Sequence, residues 1–236
     1  MNRDTWNVEA VGQATRGTTP QRLVLVLAAL AMATISSGQT RLAVSFSGHP
    51  AGYATLSQKI QKDGTKVVEL RMELDSHDGK VRLTSESRYD AKGLPLRKFQ
   101  QIVNPAIALN KQIVTTFDKA GANTVVLDGE KRKARSVPLV ETAPRASLSE
   151  FWFIRDTPKK GQVEQTYQFN IDTLEWELVR TEYRGNRTLK IESHTVSVHE
   201  VYSERGDKKT TAYLDEQGLP ILVDDGNIRM VKIWPK

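Results

Sequence analysis

The sequence predicts a mainly β protein, an antiparallel meander with one short central helix and a signal helix at its N-terminus. Three observations support this prediction. Apolar residues after position 40 recur with a period of two, Asp-Gly pairs separate the alternating segments, and one long apolar run stands near the N-terminus. A period of two is typical of strands that have one buried face and one wet face.

The apolar run Leu23–Ile35 has the layout of an export signal. Arg16 and Arg22 precede its 13 residues, and the small polar residues 36–38 follow it. This order of positive flank, apolar centre and small-residue exit is typical of a signal peptide. A helix that spans a bilayer needs about 20 apolar residues, so the run is short for a permanent anchor.

We therefore predict a signal peptide over residues 1–38 and an exported, periplasmic or extracellular domain over residues 39–236. Small residues place cleavage after Ala33 or after Gly38. The region before the apolar run is long and carries both charge signs, which leaves two alternatives open. The protein would then be membrane-anchored through residues 23–35, or the run would be a buried helix of a soluble protein. Either way, membrane contact is expected only through this segment.

The predicted strands alternate strictly between apolar and polar residues. The alternation is clearest in four segments, 66–74, 81–89, 163–169 and 174–178. Asp-Gly pairs follow at Asp63-Gly64, Asp78-Gly79, Asp128-Gly129 and Asp225-Gly226. Asp-Gly favours the tight turns that connect antiparallel strands. Nothing of crossover-helix length separates the segments, so parallel βαβ units are not expected.

One segment near the centre of the chain interrupts this pattern. Ser147 and Glu150 match a capping box, and the apolar residues 151–154 follow them. We predict a short helix over Ser147–Ile154 that buries against the sheet. Residues 156–161 would end it with turn-forming residues.

A weak internal sequence repeat suggests a division of the predicted domain. Residues 89–96 and 214–221 both contain Asp-x-x-Gly-Leu-Pro followed by an aliphatic residue. Two copies indicate two related sheet halves, 41–140 and 160–236, within one β-rich domain. Chance recurrence of a common turn is the alternative.

Taken together, these features resemble a family of exported bacterial proteins of unknown function. The matching segments are Gly52–Thr55, the two Asp-x-x-Gly-Leu-Pro turns, and Ser147–Phe153 ahead of Gly161. The resemblance implies a signal peptide and an antiparallel sheet curved into an incomplete barrel. The chain is also similar to the periplasmic lipoprotein-carrier superfamily, whose curved sheet covers an apolar cavity for acyl chains. No catalytic motif is shared, so no functional residue is carried over.

Composition excludes several kinds of chemistry. The chain has no cysteine, which removes thiol catalysis, thiolate metal sites and iron–sulfur clusters. It has no Gly-x-Ser-x-Gly elbow, phosphate loop or dinucleotide fingerprint. His194 and His199 lie five residues apart and would face opposite sides of a strand. We interpret His77 and residues 224–227 as turns, and we predict no enzyme, no cofactor and no metal.

The charged residues favour solvated surface over a polyanion site. The chain carries 34 basic and 28 acidic residues, a net charge of +6. The one basic concentration, residues 131–135, follows a predicted turn and has no stacking aromatics within it. We interpret it as a charged strand or loop and expect no nucleic acid partner, with contact to anionic headgroups as the alternative.

The candidate ligand-binding residues are Trp152, Trp176, Leu70, Leu83 and Ser85. Aromatic and aliphatic side chains on strand faces suit an apolar pocket, although such residues more often form core. A serine on an otherwise apolar face suits a cavity wall better than a dry core. The function expected is an exported, non-catalytic binding or carrier protein for an apolar or lipid-like ligand. The alternative is an envelope module that displays its sheet to a protein partner.

Overall fold

The computed structural model describes residues 38–139, 146–147 and 158–234, and these residues form one 15-stranded sheet. The strands are β1 (Gly38–Phe46), β2 (His49–Ile60), β3 (Lys66–Ser76), β4 (Gly79–Tyr89), β5 (Pro95–Asn104), β6 (Leu109–Asp118), β7 (Gly121–Asp128), β8 (Lys131–Pro138), β9 (Ala146–Ser147), β10 (Val163–Asn170), β11 (Glu175–Ile191), β12 (His194–Arg205), β13 (Lys208–Leu214), β14 (Pro220–Asp224) and β15 (Ile228–Lys232). The mainly β prediction is confirmed.

Sheet order follows chain order, with one exception. The order is β8-β7-β6-β5-β4-β3-β2-β1-β15-β14-β13-β12-β11-β10-β9, so the first strand pairs with the last. All described pairings are antiparallel except that of β9 with β10. The antiparallel meander is therefore confirmed, and the two edges of the sheet come from the middle of the chain.

Chain length requires this sheet to curve. A flat sheet of 15 strands would hold its edges roughly 65 Å apart, at about 4.8 Å per strand. Pro138 and Ala146 end and begin the two edge strands, and eight residue steps span at most about 28 Å. The edges must therefore approach one another, and this agrees with the incomplete barrel that the resemblance implied.

The turns follow the sequence prediction closely. Gly64, Gly129 and Gly226 have positive φ in turns between neighbouring strands, and Gly79 has positive φ where the turn at residues 77–78 enters β4. Glycine adopts this conformation without strain. The two Asp-x-x-Gly-Leu-Pro segments form the same turn. The Oδ1 atoms of Asp90 and Asp215 each accept two backbone N–H groups, from residues two and four positions ahead. The likeness of these turns is thus structural, while the relation between the two sheet halves stays a prediction.

No α-helix occurs in the part of the chain that the structure describes. Its one helical turn is a 3₁₀ segment at Pro105–Ile107. The predicted central helix is not confirmed: Ser147 belongs to β9, and residues 148–154 lie outside the described residues. The signal segment, residues 1–37, lies outside them as well. No helix among the described residues has the length and apolar character needed to cross a membrane.

The main core lies on one face of the sheet, which we call the inner face. Alternate residues of β1 to β4 and of β12 to β15 supply it, including Leu42, Leu56, Leu70, Met72, Leu83, Val201, Val223 and Met230. A smaller apolar cluster occupies the opposite face around Val198, Ile221 and Leu222, with Trp234 packed against it.

The β10–β11 hairpin is covered on both of its faces. Thr166, Gln168 and Asn170 alternate with Phe169 along β10, and all four residues are buried. In a strand, neighbouring residues point to opposite faces, so consecutive burial means that both faces have neighbours. The tip of this hairpin, residues 169–174, packs against the inner face of β5 and β6 through contacts described next.

Candidate functional site

Three of the sequence-predicted site residues lie side by side on the inner face. Leu70 of β3 is the direct cross-strand partner of Ser85 of β4, and Leu83 precedes Ser85 on the same face. Leu70 is 2% exposed and Leu83 is 1% exposed. Because strands alternate their faces, residues 81, 83, 85 and 87 point inward together.

The apolar inner face becomes polar toward one end of β4 and β5. Ser85 pairs with Gln100, Ser87 pairs with Lys98, and Lys111 of β6 lies opposite Ile102, the partner of Leu83. We call these five residues the inner polar patch: Ser85, Ser87, Lys98, Gln100 and Lys111.

Exposure differs sharply across this patch. Gln100 is 1% exposed, as deeply buried as Leu83, whereas Ser85 and Ser87 are partly exposed. Ser85 thus keeps solvent contact although both of its cross-strand partners, Leu70 and Gln100, are buried. Solvent therefore reaches the inner face at a point where aliphatic and polar side chains meet.

The hairpin tip supplies oxygen acceptors to the donors of the patch. Gln100 Nε2 donates to Asp172 Oδ1 at 3.3 Å, and Lys98 Nζ donates to the Phe169 carbonyl oxygen at 3.2 Å. Asn170 shapes the tip, because its Oδ1 accepts the backbone N–H groups of Asp172 and Thr173. The two ends of the sheet are thereby joined across the inside of the curve.

Asp172 is the most perturbed acid of this region. Burial raises the pKa of its carboxyl from 3.8 to about 6, against the hydrogen bond from Gln100 and the charges of Lys111 and Lys208, which lower it. The nearby carboxylate of Glu177 raises it slightly further. Asp172 Oδ2 is out of solvent contact and accepts no hydrogen bond from any described residue. Desolvation of the charged form therefore outweighs its partners.

Trp176 lies in a different environment from Leu70, Leu83 and Ser85. It pairs with Phe169 across β10 and β11, so both rings share the face opposite to Gln168. The Trp176 ring lies 5.3 Å from Phe169 and 5.7 Å from Phe117 of β6, centroid to centroid. These three rings pack the hairpin against the inner face of β6. Trp152 lies outside the described residues.

A second polar network fixes the hairpin on its other face. Glu177 Oε1 accepts hydrogen bonds from Asn170 Nδ2 at 2.7 Å and from Thr173 Oγ1 at 3.2 Å. Arg205, whose side chain is only 11% exposed, lies 3.5 Å from Glu177 Oε2 and donates to Gln168 Oε1. Glu177 Oε2 therefore has an ion-pair contact with Arg205 but, like Asp172 Oδ2, it accepts no hydrogen bond from any described residue.

Sequence reasoning missed Lys98, Gln100, Lys111 and Asp172. Gln100 stands among inward positions that it shares with Ile102, and a polar residue in such a series was a usable signal. Asp172 carries no such signal, because Asn-Ile-Asp-Thr is typical of an ordinary turn. Only the approach of the two sheet ends places its carboxyl against β5.

The remaining candidates do not assemble into a site. His194 and His199 both lie on β12, five positions apart, as the sequence indicated. Among the described residues no group of three potential metal-ligating side chains comes together. The segment 131–135, which contains four basic residues and Ala134, belongs to β8, an edge strand of the sheet, and all five of its residues are exposed.

Comparison with known proteins identifies a fold and no family. The chain resembles the crystal structure of a β-barrel-like protein of the domain of unknown function DUF1849 from Brucella abortus, with a TM-score of 0.60 at 9% sequence identity. The match covers 85% of this chain and 97% of that one. A weaker likeness, with a TM-score of 0.39 and 17% identity, covers 71% of this chain and 87% of a DUF1089 family protein from Pseudomonas aeruginosa.

The likeness to the Brucella protein shows that the fold is a β-barrel-like one. No family model matches the chain, and no curated protein matches it. The similarity to lipoprotein carriers that the sequence suggested stays a prediction.

Proposed function

We propose that the protein is an exported, non-catalytic binding or carrier protein for an apolar or lipid-like ligand in the cell envelope. The ligand would lie on the inner face of β3 to β5. The observation that carries this proposal is the partial exposure of Ser85 between its buried partners Leu70 and Gln100, at the border of an aliphatic surface. Such a border suits a molecule with an apolar tail and a polar head.

The energetics of this border favour a long chain. Each methylene that the inner face removes from water contributes about 0.8 kcal/mol. Micromolar binding corresponds to about 8 kcal/mol, and ordering the ligand costs several more. An acyl chain of ordinary length therefore supplies enough, whereas a small apolar molecule does not.

Titration of the mature domain, residues 39–236, with fatty acids and phospholipids tests the proposal. We expect saturable binding at micromolar concentration, read by calorimetry and by a change in tryptophan emission. Leu70→Asp should weaken the binding at least tenfold, because it places a charge on the aliphatic surface. Tyr53→Asp is the control, since Tyr53 is 51% exposed and pairs with Glu73 on the opposite face of the sheet. Circular dichroism checks that both variants are folded. If Leu70→Asp does not fold, Ser85→Asp at the partly exposed border of the aliphatic surface replaces it.

One observation favours the alternative, an envelope interaction module. Among the described residues β8 pairs only with β7, so one side of this exposed strand offers backbone groups to a partner strand. If no fatty acid or phospholipid gives a saturable signal at tens of micromolar, the carrier proposal fails. Binding of a protein partner to the edge strand β8 then becomes the better-supported function.

A further inference from the structure

We propose that the ligand is an anionic amphiphile, whose carboxylate or phosphate head binds Lys98, Gln100 and Lys111. This inference rests on the proposed function and names the chemical class of its ligand. The tail would run along the aliphatic surface that contains Leu83 and Leu70.

The groups that the hairpin tip places against the inner polar patch indicate the kind of ligand head that the patch can bind. Two donors of the patch, Lys98 Nζ and Gln100 Nε2, are met by oxygen atoms of the tip, a carbonyl and a carboxylate. The Lys111 ammonium interacts favourably with the same carboxylate, that of Asp172. These groups form the donor set that recognises a carboxylate or phosphate ligand in other sites, a charged ammonium beside an amide N–H. The tip therefore occupies the position of an anionic head.

The charges that face this position favour an anion. Lys111 from β6 and Lys208 from β13 both act on Asp172, and Lys98 lies on β5 beside Gln100. The acid that opposes them, Glu177, is held by Asn170, Thr173 and Arg205. If a ligand head displaced Asp172, it would meet cations on three strands.

The hydrogen bond from Gln100 to the Asp172 carboxyl is weak enough for a ligand head to displace this side chain, while the rest of the hairpin stays packed through Phe169 and Trp176. Gln100 contacts Asp172 at 3.3 Å, near the upper limit for a hydrogen bond, and Oδ2 has no hydrogen-bond partner among the described residues. A ligand head with more than one free oxygen would satisfy the donors at least as well. The tip and the ligand should therefore compete for the same donors.

Three amphiphiles with the same tail test the inference: laurate, dodecyl phosphate and dodecanol. Each is titrated below its aggregation concentration into the folded domain. We expect the anions to bind at least about tenfold more tightly than the alcohol, as one or two charge-assisted hydrogen bonds would give. The ratio of laurate to dodecyl phosphate indicates whether a free fatty acid or a phosphate headgroup fits better.

Lys98→Gln and Lys111→Gln should each reduce anion binding about tenfold and leave dodecanol binding unchanged. Lys209→Gln, an exposed neighbour of Lys208, is the matched control and should change neither. Equal affinity for laurate and dodecanol, or equal effects of Lys111→Gln on both, would overturn the inference while the proposed function stands. Failure of all three ligands to bind would overturn both.

Discussion

Asp172 shows how strongly one side chain depends on its surroundings. The residue sits in a hairpin turn, where an aspartate is usually solvated and ionised at neutral pH. Here burial dominates and raises the pKa of its carboxyl to about 6. Burial disfavours the carboxylate in the docked tip, although the Gln100 hydrogen bond and the charges of Lys111 and Lys208 favour it, so the tip is held less firmly at neutral pH than at low pH.

The raised pKa of Asp172 lowers the free energy of unfolding as the pH rises. The folded-state pKa lies above the unfolded value of 3.8, so the stabilisation is complete below that value and is lost as pH rises through about 6. The loss between about pH 4 and about pH 7 amounts to at most about 3 kcal/mol. Asp172→Asn should therefore raise the urea midpoint at neutral pH and flatten the pH dependence across that window.

Asp207→Asn is the control for this measurement, because Asp207 is exposed in the turn between β12 and β13. It should leave the pH profile of unfolding unchanged. A profile of Asp172→Asn that coincides with that of the unsubstituted protein would show that the carboxyl is solvated in solution.

Ser85 and Gln100 show that the sequence predicts the face on which a residue lies but not its partner on the neighbouring strand. Ser85 is a candidate from the sequence because it interrupts an apolar series on β4, and the structure places it on the inner face, next to Leu70. Gln100 is its partner on β5 and was missed. Alternation tells which face a residue takes, whereas register between strands decides which residues meet.

At the scale of elements, the β10–β11 hairpin has the most unusual position. Most strands of the sheet bury one face, but β10 buries Gln168, Phe169 and Asn170 in succession. The alternating sequence of residues 163–169 predicted a strand with one wet face, and that expectation is wrong for the end of β10. The reason is tertiary: the curled sheet brings Phe117 of β6 onto the face that would otherwise be wet.

Phe169→Ala should measure how firmly the hairpin is packed. Phe169 is 2% exposed and its ring lies 5.6 Å from that of Phe117 and 5.3 Å from that of Trp176. Truncating a buried phenylalanine costs about 3–5 kcal/mol in unfolding free energy. We also expect red-shifted emission from Trp176, because water gains access to its ring. Urea unfolding and fluorescence give the two readouts.

Val163→Ala is the matched control on the same strand, since Val163 is 42% exposed. It should change the unfolding free energy by less than about 0.5 kcal/mol. Should Phe169→Ala prove as mild as this control, the hairpin would be only loosely docked in solution, and the contacts of Asp172 would carry little weight.

At the scale of the whole molecule, the topology explains where the inner polar patch is covered. Pairing of β1 with β15 joins the chain's first and last strands, so both free edges arise near the middle of the sequence. The short link between β8 and β9 then draws these edges together. Contacts such as Lys98 with Phe169 follow from this closure, although 71 positions separate the two residues.

Export is the prediction that concerns the chain as a whole. The run Leu23–Ile35 is too short for an ordinary membrane span and precedes small residues, so we expect cleavage after Ala33 or after Gly38. Strand β1 begins at Gly38, so cleavage after Ala33 leaves the whole strand and cleavage after Gly38 removes only its first residue. N-terminal sequencing of the protein recovered from its native host gives the answer. Met1 retained in a membrane fraction would establish the anchor instead.

The sequence by itself determined the mainly β class, four alternating strand segments, the Asp-Gly turns and the antiparallel arrangement. These features are local: alternation fixes the buried face of each strand, and Asp-Gly fixes the tight turns, so neither needs distant partners. Leu70, Leu83 and Ser85 were placed on one surface for the same reason.

Only the tertiary structure decided which distant surfaces meet. The pairing of β1 with β15, the docking of the β10–β11 tip on β5, and the raised pKa of Asp172 all depend on curvature summed over 15 strands. No short segment encodes that curvature, because small twists between neighbouring strands accumulate across the sheet. The sequence therefore predicts which face of each strand is buried, while the contact between the inner polar patch and Asp172 depends on the curvature of the whole sheet.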